Sequence, residues 1–296
     1  MDNYASIVAV RAPRAQLDTT KFFDDAHVET NVSPVDQFLE NSLSLNRHWA
    51  MLPPNEDVQP ELSRLFLLGY VSAVEGYMRS LIRRLVHHDI FTQNCCESLQ
   101  LSYGAVLHHK QASLPDALLE ETIFSVNKAI PQALVKFIGM EGLSGGTTAL
   151  LAEYDRICQL RHCCTHRFGK LGVKNATVLG LSTHSRFLEK PVLLKKDAMA
   201  DIADLTFTLV KSINNDVFGF VMKRSATGKL PSRDAPGIGW TWHKARDKAR
   251  FKTYYDIFSS MKDATPSPSA DDVYDLFRNA YHKVGKAKNP PVGPND

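Results

Sequence analysis

A single long segment with the apolar spacing of a helix, residues 59–88, constrains the fold more than any other feature of this chain. Apolar side chains recur there at steps of three and four residues, which places them on one helical face. Pro60 suits the first position of a helix, and Glu61 suits the positive end of the helix dipole. A helix of this length spans about 45 Å, which is more than a surface helix needs. We therefore predict a core helix.

The composition is that of an ordinary globular protein. Of the 296 residues, 44% are hydrophobic and 23% are charged, and the formal net charge is +3. These values exclude collagen, a coiled-coil rod and wholesale disorder. We find no run of apolar residues long enough to predict a membrane-spanning helix, and no signal peptide in the first twenty residues. We expect a cytoplasmic protein that is not associated with a membrane.

The cysteines predict free thiols. Their number, five, is odd, and four of them form the adjacent pairs Cys95-Cys96 and Cys163-Cys164. Adjacent cysteines rarely bridge to each other, and the spacing does not suggest a secretory disulfide framework. A reducing compartment is the expectation.

Three regions follow from the distribution of periodic, basic and Pro/Gly-rich segments. Residues 1–33 show no steady period and are predicted to form an N-terminal arm. Residues 34–224 are predicted to form a helical domain. Residues 225–296 are predicted to form a basic, partly irregular C-terminal appendage and tail, because prolines, glycines and lysines or arginines accumulate there.

Two further helices are predicted within the helical domain. Residues 147–168 keep a helical period and are followed by Gly169, a suitable C-cap. Asp197 is a suitable cap for a last long helix that runs through Phe220. Residues 173–194 are the exception, since their valines and leucines predict a β-like patch. The predicted fold class is all-α.

The densest group of polar side chains, residues 161–167, ends the helix predicted over 147–168. It reads Arg-His-Cys-Cys-Thr-His-Arg. Positive side chains are favourable in the last turn of a helix, but so many of them repel one another unless an anion lies among them. Arginine provides a bidentate fork for phosphate, and histidine can take or give a proton near neutral pH. The group is a candidate phosphate site.

This arrangement resembles the signature of the HEPN superfamily, in which an arginine is followed by a polar residue and, a few positions later, by a histidine. Arg161 and His166 match the catalytic pair of that signature, and His162 matches its auxiliary polar position. The segment 70–82 is similar to the first core helix of bacterial HEPN proteins. The resemblance covers residues 34–224 and implies a HEPN-like helical bundle.

The resemblance also implies an activity. Many HEPN proteins are metal-independent ribonucleases of toxin, antiphage and CRISPR systems, in which a ribose 2′-oxygen attacks the adjacent phosphate. His166 is then the general base or acid, and Arg161 stabilises charge on the phosphate. No cofactor is implied. The family further implies a homodimer with two facing motifs, and positions 161 and 166 lie about 140° apart on an ideal helix, which suits a site shared between two chains.

Each of these side chains also has a structural interpretation. Arg161 could pair with Glu75 or satisfy the helix end, and His166 could act as a C-capping residue. Cys158, His162 and His166 lie on one helical stripe, and their nitrogen and sulfur atoms would suit zinc.

A second candidate nucleic-acid surface lies at residues 240–255, where aromatic and basic side chains alternate. Such a mixture can stack on bases while it follows a phosphate backbone. The alternative is an amphipathic helix whose aromatic side chains face the core. The predicted substrate-binding residues are Arg167, Lys170, Lys244, Arg246, Lys248 and Arg250.

The sequence thus predicts a metal-independent endoribonuclease of the toxin or antiphage-defence type that cleaves RNA at a dimer interface. The predicted partners are RNA, a second copy of the chain, and an antitoxin or another protein of a defence system. The alternative function is a non-catalytic HEPN-type scaffold that binds RNA, a nucleotide or a protein. A zinc-stabilised helical module is a third hypothesis.

Overall fold

The structure is a computed structural model that describes residues 16–28, 30–52, 58–126, 128–228 and 238–286. Regular secondary structure in these ranges is helical, without a named β-strand. The predicted all-α class is confirmed.

The chain divides into two compact units, Met1–Val32 and Ser33–Asp296. The described part of the first unit contains one short 3-10 helix, Thr19–Phe22. The side chain of Asp18 caps this turn, because its Oδ1 accepts a hydrogen bond of 3.2 Å from the backbone N–H of Thr20.

The second unit contains eleven α-helices within the described ranges. They are α1 (Pro34–Ala50), α2 (Pro60–His88), α3 (Ile90–Cys96), α4 (Tyr103–His108), α5 (Leu114–Ala117), α6 (Ala129–Ala133), α7 (Gly145–Arg167), α8 (Val173–His184), α9 (Lys196–Thr227), α10 (Lys244–Phe258) and α11 (Ala270–Lys286). Short 3-10 turns cover Gln111–Ser113 and Ser185–Phe187, and a π-helical turn covers Leu134–Ile138.

Helices α1, α2, α7 and α9 form the central bundle, in up-down-up-down order. Helices α1 and α2 are antiparallel, because Trp49 Nε1 donates to Tyr70 Oη at 2.6 Å near one end, while the rings of Phe38 and Tyr77 lie 6.4 Å apart further along. Helix α9 runs parallel to α2, because Tyr77 Oη donates to Asn214 Oδ1 at 3.2 Å and an ion pair joins the carboxyl-terminal ends of the two helices. Helix α7 runs antiparallel to both, since its end contacts the start of α2 and its start contacts the second half of α9.

Helix α2 is the central element that the sequence predicts. Tyr70, Val74 and Leu81 on its inner face are fully buried. No membrane-spanning helix is predicted from the sequence, yet by length and composition alone α2 is long and apolar enough to cross a membrane. However, 61% of its most apolar window is buried inside the protein, as expected for a helix at the centre of a protein core.

The predicted β-like patch is wrong for residues 173–184, which form helix α8 with a break at Gly180. A lone strand needs a partner for its backbone groups, and the described residues provide no sheet. The helix instead satisfies those groups internally and buries Ala176 and Leu179. Within the ranges that the structure describes, β-type pairing consists of an isolated bridge between Lys170 and Pro191.

Helices α10 and α11, which lie in the predicted C-terminal appendage, share the core of the central bundle. Phe251 and Tyr274 are almost completely buried, and their rings pack edge to face at 5.3 Å. The buried carboxylate of Asp247 joins the two helices, because it accepts hydrogen bonds from Tyr274 Oη at 2.8 Å and from Trp242 N at 2.8 Å. The described part of this region therefore belongs to the same compact unit as the bundle.

One buried ion pair, between Arg224 of α9 and Asp89 at the end of α2, holds several of these elements together. Both side chains are almost fully buried, with exposed fractions of 1% and 0%. Asp89 also accepts hydrogen bonds from Tyr254 Oη of α10 at 3.0 Å and from Thr92 Oγ1 of α3 at 2.6 Å. The Arg224 guanidinium donates to the carbonyl of Ile138 as well. Four helices and the π-helical turn therefore meet at this pair.

We expect Arg224→Met to destabilise the protein by about 3–5 kcal/mol, because it leaves the Asp89 carboxylate buried without a counter-ion. Chemical denaturation of the two proteins measures this loss. Lys252→Met is the matched control: it breaks the exposed Lys252–Asp256 pair, and surface pairs contribute at most about 1 kcal/mol.

The double variant Asp89→Asn/Arg224→Met distinguishes the cost of an unpaired buried charge from the cost of the changed side-chain shape. Since it removes the unpaired charge, it is expected to recover part of the lost free energy of unfolding. If Arg224→Met and Lys252→Met lowered the free energy of unfolding by the same small amount, a structural role for the buried pair would be contradicted.

Candidate functional site

Helix α7 carries the candidate site at its carboxyl end. Ser144 caps its start, with Oγ accepting from Thr147 N at 3.3 Å. Tyr154, Cys158 and Cys163 lie on its buried face, packed against α2, α8 and α9. The helix therefore has a fixed inner face, and the polar side chains of residues 161–167 lie around its last turns.

The turn that ends α7 has an unusual backbone. Phe168, rather than the predicted Gly169, is the first residue with a left-handed conformation, at φ 50°, and Gly169 follows at φ 90°. Gly169 N donates to the carbonyl of Cys163 at 2.9 Å, which closes the helix end. Arg64 of α2 lies across this turn: its Nη1 donates to the carbonyl of Phe168 at 3.0 Å, and a Cβ on Gly169 would lie 3.0 Å from the Arg64 side chain.

Arg161 is half-buried, and its guanidinium has no ion pair or hydrogen bond with any described residue. The pairing with Glu75 that the sequence suggests as an alternative is not formed; Oε1 of Glu75 is itself buried without a hydrogen-bond partner in the described ranges. The two residues nevertheless share a neighbourhood. Burial raises the pKa of Tyr154 well above its ordinary value, Cys158 and Glu75 raise it further, and Arg161 opposes them.

His162 and His166 lie one helical turn apart, with ring centroids separated by 6.2 Å. His162 is half-buried, whereas His166 is exposed. Burial lowers the pKa of His162 below its ordinary value, and the positive charges of Arg161, His166 and Lys174 lower it further. Lys174, in the first turn of α8, thus joins the motif. We call Arg161, His162, His166 and Lys174 the cationic cluster.

Lys174 is not among the site residues that the sequence predicts. It lies in the segment that was predicted to be β-like, where nothing indicates its direction relative to α7. Once residues 173–184 form a helix and fold back on α7, the charge of the lysine acts on the His162 ring and lowers its pKa. Its spacing of eight residues from His166 is the only signal in the sequence, and it is weak.

The other two cations near the motif, Arg167 and Lys170, differ in whether a carboxylate pairs with them. Arg167 donates to both carboxylate oxygens of Glu189, at 2.8 and 3.0 Å, and is therefore held in a bidentate ion pair. Lys170 is exposed, and its side chain has no ion-pair partner among the described residues. Of these two predicted substrate-binding residues, Lys170 is the one whose charge is not neutralised by a neighbour.

Most of the predicted substrate-binding cations of α10 contact protein groups. Lys244 pairs with Asp275 at 2.7 Å, and Lys248 pairs with Asp271 at 3.2 Å. Arg250 donates to the carbonyl of Ile238 at 3.0 Å. The acidic partners lie on α11, so the local excess of positive charge in the sequence is largely balanced in space.

Arg246 is the exception on α10, since its exposed side chain has no ion pair with a described residue. The aromatic side chains of this segment do not lie beside it on the surface. Trp240, Phe251, Tyr254 and Tyr255 are all buried in the core. The alternative of an amphipathic helix with core-facing aromatic side chains therefore describes the segment, and these four rings are not available to stack on bases.

The positions of the five cysteines bear on the zinc hypothesis. All five cysteines have free thiols. Cys158 is fully buried, and burial raises its pKa to about 12, which disfavours the thiolate that zinc requires. Within the described ranges, no three or more His, Cys, Asp or Glu side chains are grouped closely enough to hold a metal ion.

This chain matches no known protein-family model, no curated protein and no solved structure. What the site can do therefore follows from its own residues. A guanidinium, an ammonium and two imidazoles surround the end of α7, and no acidic side chain of the described residues pairs with them. Such a cluster can bind a phosphate group and exchange protons with it.

We expect Lys174→Met to raise the pKa of His162 toward its ordinary value, because the substitution removes one positive charge that disfavours the protonated ring. Titration of the histidine ring signals by NMR measures this pKa. Lys170→Met is the matched control, since Lys170 is not among the charges that act on His162. The cluster would be wrongly assigned if Lys170→Met shifted the pKa and Lys174→Met did not.

Proposed function

We propose that this protein is a metal-independent endoribonuclease of the HEPN type, with Arg161 and His166 as its catalytic residues. The observation that carries the proposal is the cationic cluster at the end of α7, a set of groups suited to proton transfer and phosphate binding that have no acidic partner among the described residues. Its arginine and histidine have the order and spacing of the HEPN signature. The all-α bundle around it is consistent with that family.

The proposed reaction is an internal transfer at phosphorus. His166 removes the proton of a ribose 2′-hydroxyl, and the 2′-oxygen forms a bond to the adjacent phosphorus atom. The bond from phosphorus to the 5′-oxygen of the next nucleotide breaks, and the imidazole of His166, now protonated, donates its proton to that oxygen. The products are a 2′,3′-cyclic phosphate and a 5′-hydroxyl. Arg161 stabilises the negative charge that develops on the phosphoryl oxygens.

The lowered pKa of His162 suits it to an auxiliary role. A ring that stays neutral near pH 7 can accept a hydrogen bond and orient the substrate or its neighbour His166. Protonation of His166 by the substrate hydroxyl adds charge next to His162, so a neutral His162 also limits repulsion in the transition state.

The proposed active unit is a homodimer. Positions 161 and 166 lie about 140° apart around the axis of an ideal helix, so we propose that the arginine and the histidine of one site come from two chains. Phe168, at the end of the motif, has an exposed fraction of 77% and offers apolar surface next to it. A second copy could cover this surface and bring its own His166 to Arg161.

Other expected properties follow from the proposed activity. An RNA-cleaving enzyme of the toxin or antiphage type acts where RNA is abundant, so we propose a cytoplasmic location. Uncontrolled cleavage harms the host cell, so we also propose that an antitoxin or another defence-system protein restrains it.

We expect Arg161→Ala and His166→Ala each to slow cleavage of a single-stranded RNA by about 10²–10⁴-fold, since each removes a group that acts in the transition state. The double variant should lose much less than the product of the two effects. Gel analysis of RNA incubated with the purified proteins in excess EDTA measures the rates, and the wild-type products should carry 2′,3′-cyclic phosphates.

Two variants serve as controls for this experiment. Arg156→Ala removes an exposed arginine from the same helix, and His87→Ala removes an exposed histidine from α2; both should cleave at the wild-type rate. Single variants that cut as fast as wild type would overturn the assignment. If the wild-type protein binds RNA without cutting it, the non-catalytic scaffold becomes the better interpretation.

Trans complementation tests the shared site. If Arg161 of one chain acts with His166 of the other, a heterodimer of Arg161→Ala and His166→Ala chains contains one intact site. A mixture that has exchanged subunits should therefore recover about a quarter of the wild-type activity, since half of its dimers are mixed and each has one working site of two.

Each variant alone should remain inactive in the same assay. A mixture that stays as inactive as its components, although light scattering shows dimers and subunit exchange, would place both groups of one site on a single chain. A protein that is active and only monomeric would exclude the shared site altogether.

A further inference from the structure

A large cavity lies beside the first half of α7, away from the cationic cluster. Its volume is about 760 Å³, within the range of roughly 300–1,000 Å³ that small-molecule sites occupy. One wall is the side of α7 that carries Thr148, Leu151, Ala152 and Asp155. The opposite wall is formed by residues within 124–126 and 128–143, which include α6, the π-helical turn and the loop that precedes α7.

The backbone of the second wall is irregular where it faces the cavity. Lys128 has a left-handed conformation at φ 61°, which is unfavourable for a residue other than glycine. The next helical turn, Leu134–Ile138, has π-helical hydrogen bonding, which often occurs at functional sites. These departures shape a concave surface that a regular helix in this place would not have.

The lining of the cavity is mainly apolar. Ile130 and Leu134 contribute from one wall, and Leu151 contributes from the other, with Met140 between them. Water gains few hydrogen bonds in such a space, so an apolar molecule is the more favourable occupant. The cavity therefore favours the binding of a small molecule that is mainly apolar.

The polar groups of the lining indicate what else the occupant carries. Asp155 is half-buried on α7 and has no hydrogen bond or ion pair with a described residue. Burial raises the pKa of its carboxyl, and Lys128 opposes this effect. Because the aspartate side chain is short, its charge stays at the wall, where an ammonium group would stabilise it.

The cations of the lining are held less firmly at the cavity. Lys128 and Lys136 are exposed, and their long side chains can extend into water. The ammonium of Lys136 lies 4.8 Å from the centre of the Phe137 ring, which does not line the cavity. Glu141, a second carboxylate, lines the loop side. The charge that is fixed at the wall is therefore negative.

We propose that this cavity binds a small, predominantly apolar molecule that carries a cationic amine, with the amine paired to Asp155. The inference does not rest on the proposed ribonuclease activity, since none of the cluster residues lines the cavity. Asp155 precedes Arg161 by six residues, about 9 Å along the helix axis.

Three probes that share one apolar body test the proposal: 4-phenylbutylamine, 4-phenylbutanol and 4-phenylbutyric acid. Titration of each into the full-length protein at pH 7, followed by NMR or calorimetry, gives the dissociation constants. We expect the amine to bind up to about fivefold more tightly than the alcohol, the most that one partly exposed ion pair contributes, and the acid to bind most weakly.

Three variants locate the site. Asp155→Asn should reduce binding of the amine to the level of the alcohol, whereas Glu153→Gln, an exposed carboxylate on the same helix, should leave it unchanged. Ala152 is exposed at the rim, so Ala152→Trp should block all three probes without disturbing the core, as circular dichroism can verify.

The outcomes are distinct. Amine preference that depends on Asp155 and is blocked by Ala152→Trp supports the proposal. Equal binding of the probes, preference for the acid, binding that persists in Ala152→Trp, or no binding at millimolar concentration overturns it.

Discussion

The buried pair of Arg224 and Asp89 is the interaction on which the arrangement of the helices depends. Neither charge has access to water, so each needs the other and the hydrogen bonds around them. Asp89 ends α2 and caps α3, while Arg224 belongs to α9 and reaches the π-helical turn at Ile138. Because Tyr254 of α10 completes the carboxylate's partners, the pair sets the relative positions of elements that are far apart in the sequence.

Helix α7 gains its position from this arrangement and presents two different surfaces. Its inner face is packed against α2 and α9, so the groups at its two ends are held on a rigid element, as a precise site requires. At the carboxyl end, the negative end of the helix dipole partly offsets the repulsion among the cations of the cluster. The first half instead lines an apolar cavity, to which it contributes the carboxylate of Asp155. One helix thus combines a surface suited to anions with a wall suited to amines.

The sequence allowed the main helices to be predicted but not their neighbours in space. Residues 59–88 and 147–168 were predicted to within two residues, because their apolar periods are long and their ends carry proline or glycine. Residues 173–184 were missed because valines favour strands only where a sheet can form. The prediction for this segment failed because the contacts that decide its structure are non-local.

The difference between local and non-local contacts also explains which parts of the candidate sites could be predicted. The motif at residues 161–167 could be identified because its members are adjacent, whereas Lys174 joins them only through the fold of α8. The cations of α10 looked like a nucleic-acid surface because Asp271 and Asp275, which pair with them, follow more than twenty residues later. The cavity beside α7 was not predicted, because its two walls have no shared pattern in the sequence.

The carboxylate of Asp36, at the start of α1, has a consequence for the order of folding. It accepts hydrogen bonds from Met261 N at 3.0 Å and Lys262 N at 3.2 Å, on the loop that follows α10. A ribosome therefore has to synthesise more than two hundred residues after Asp36 before this carboxylate finds its partners. Contacts with so large a sequence separation form slowly and late. A nascent chain that ends before α10 lacks part of its core, so the completed bundle, and any activity at α7, is expected only after translation has passed that helix.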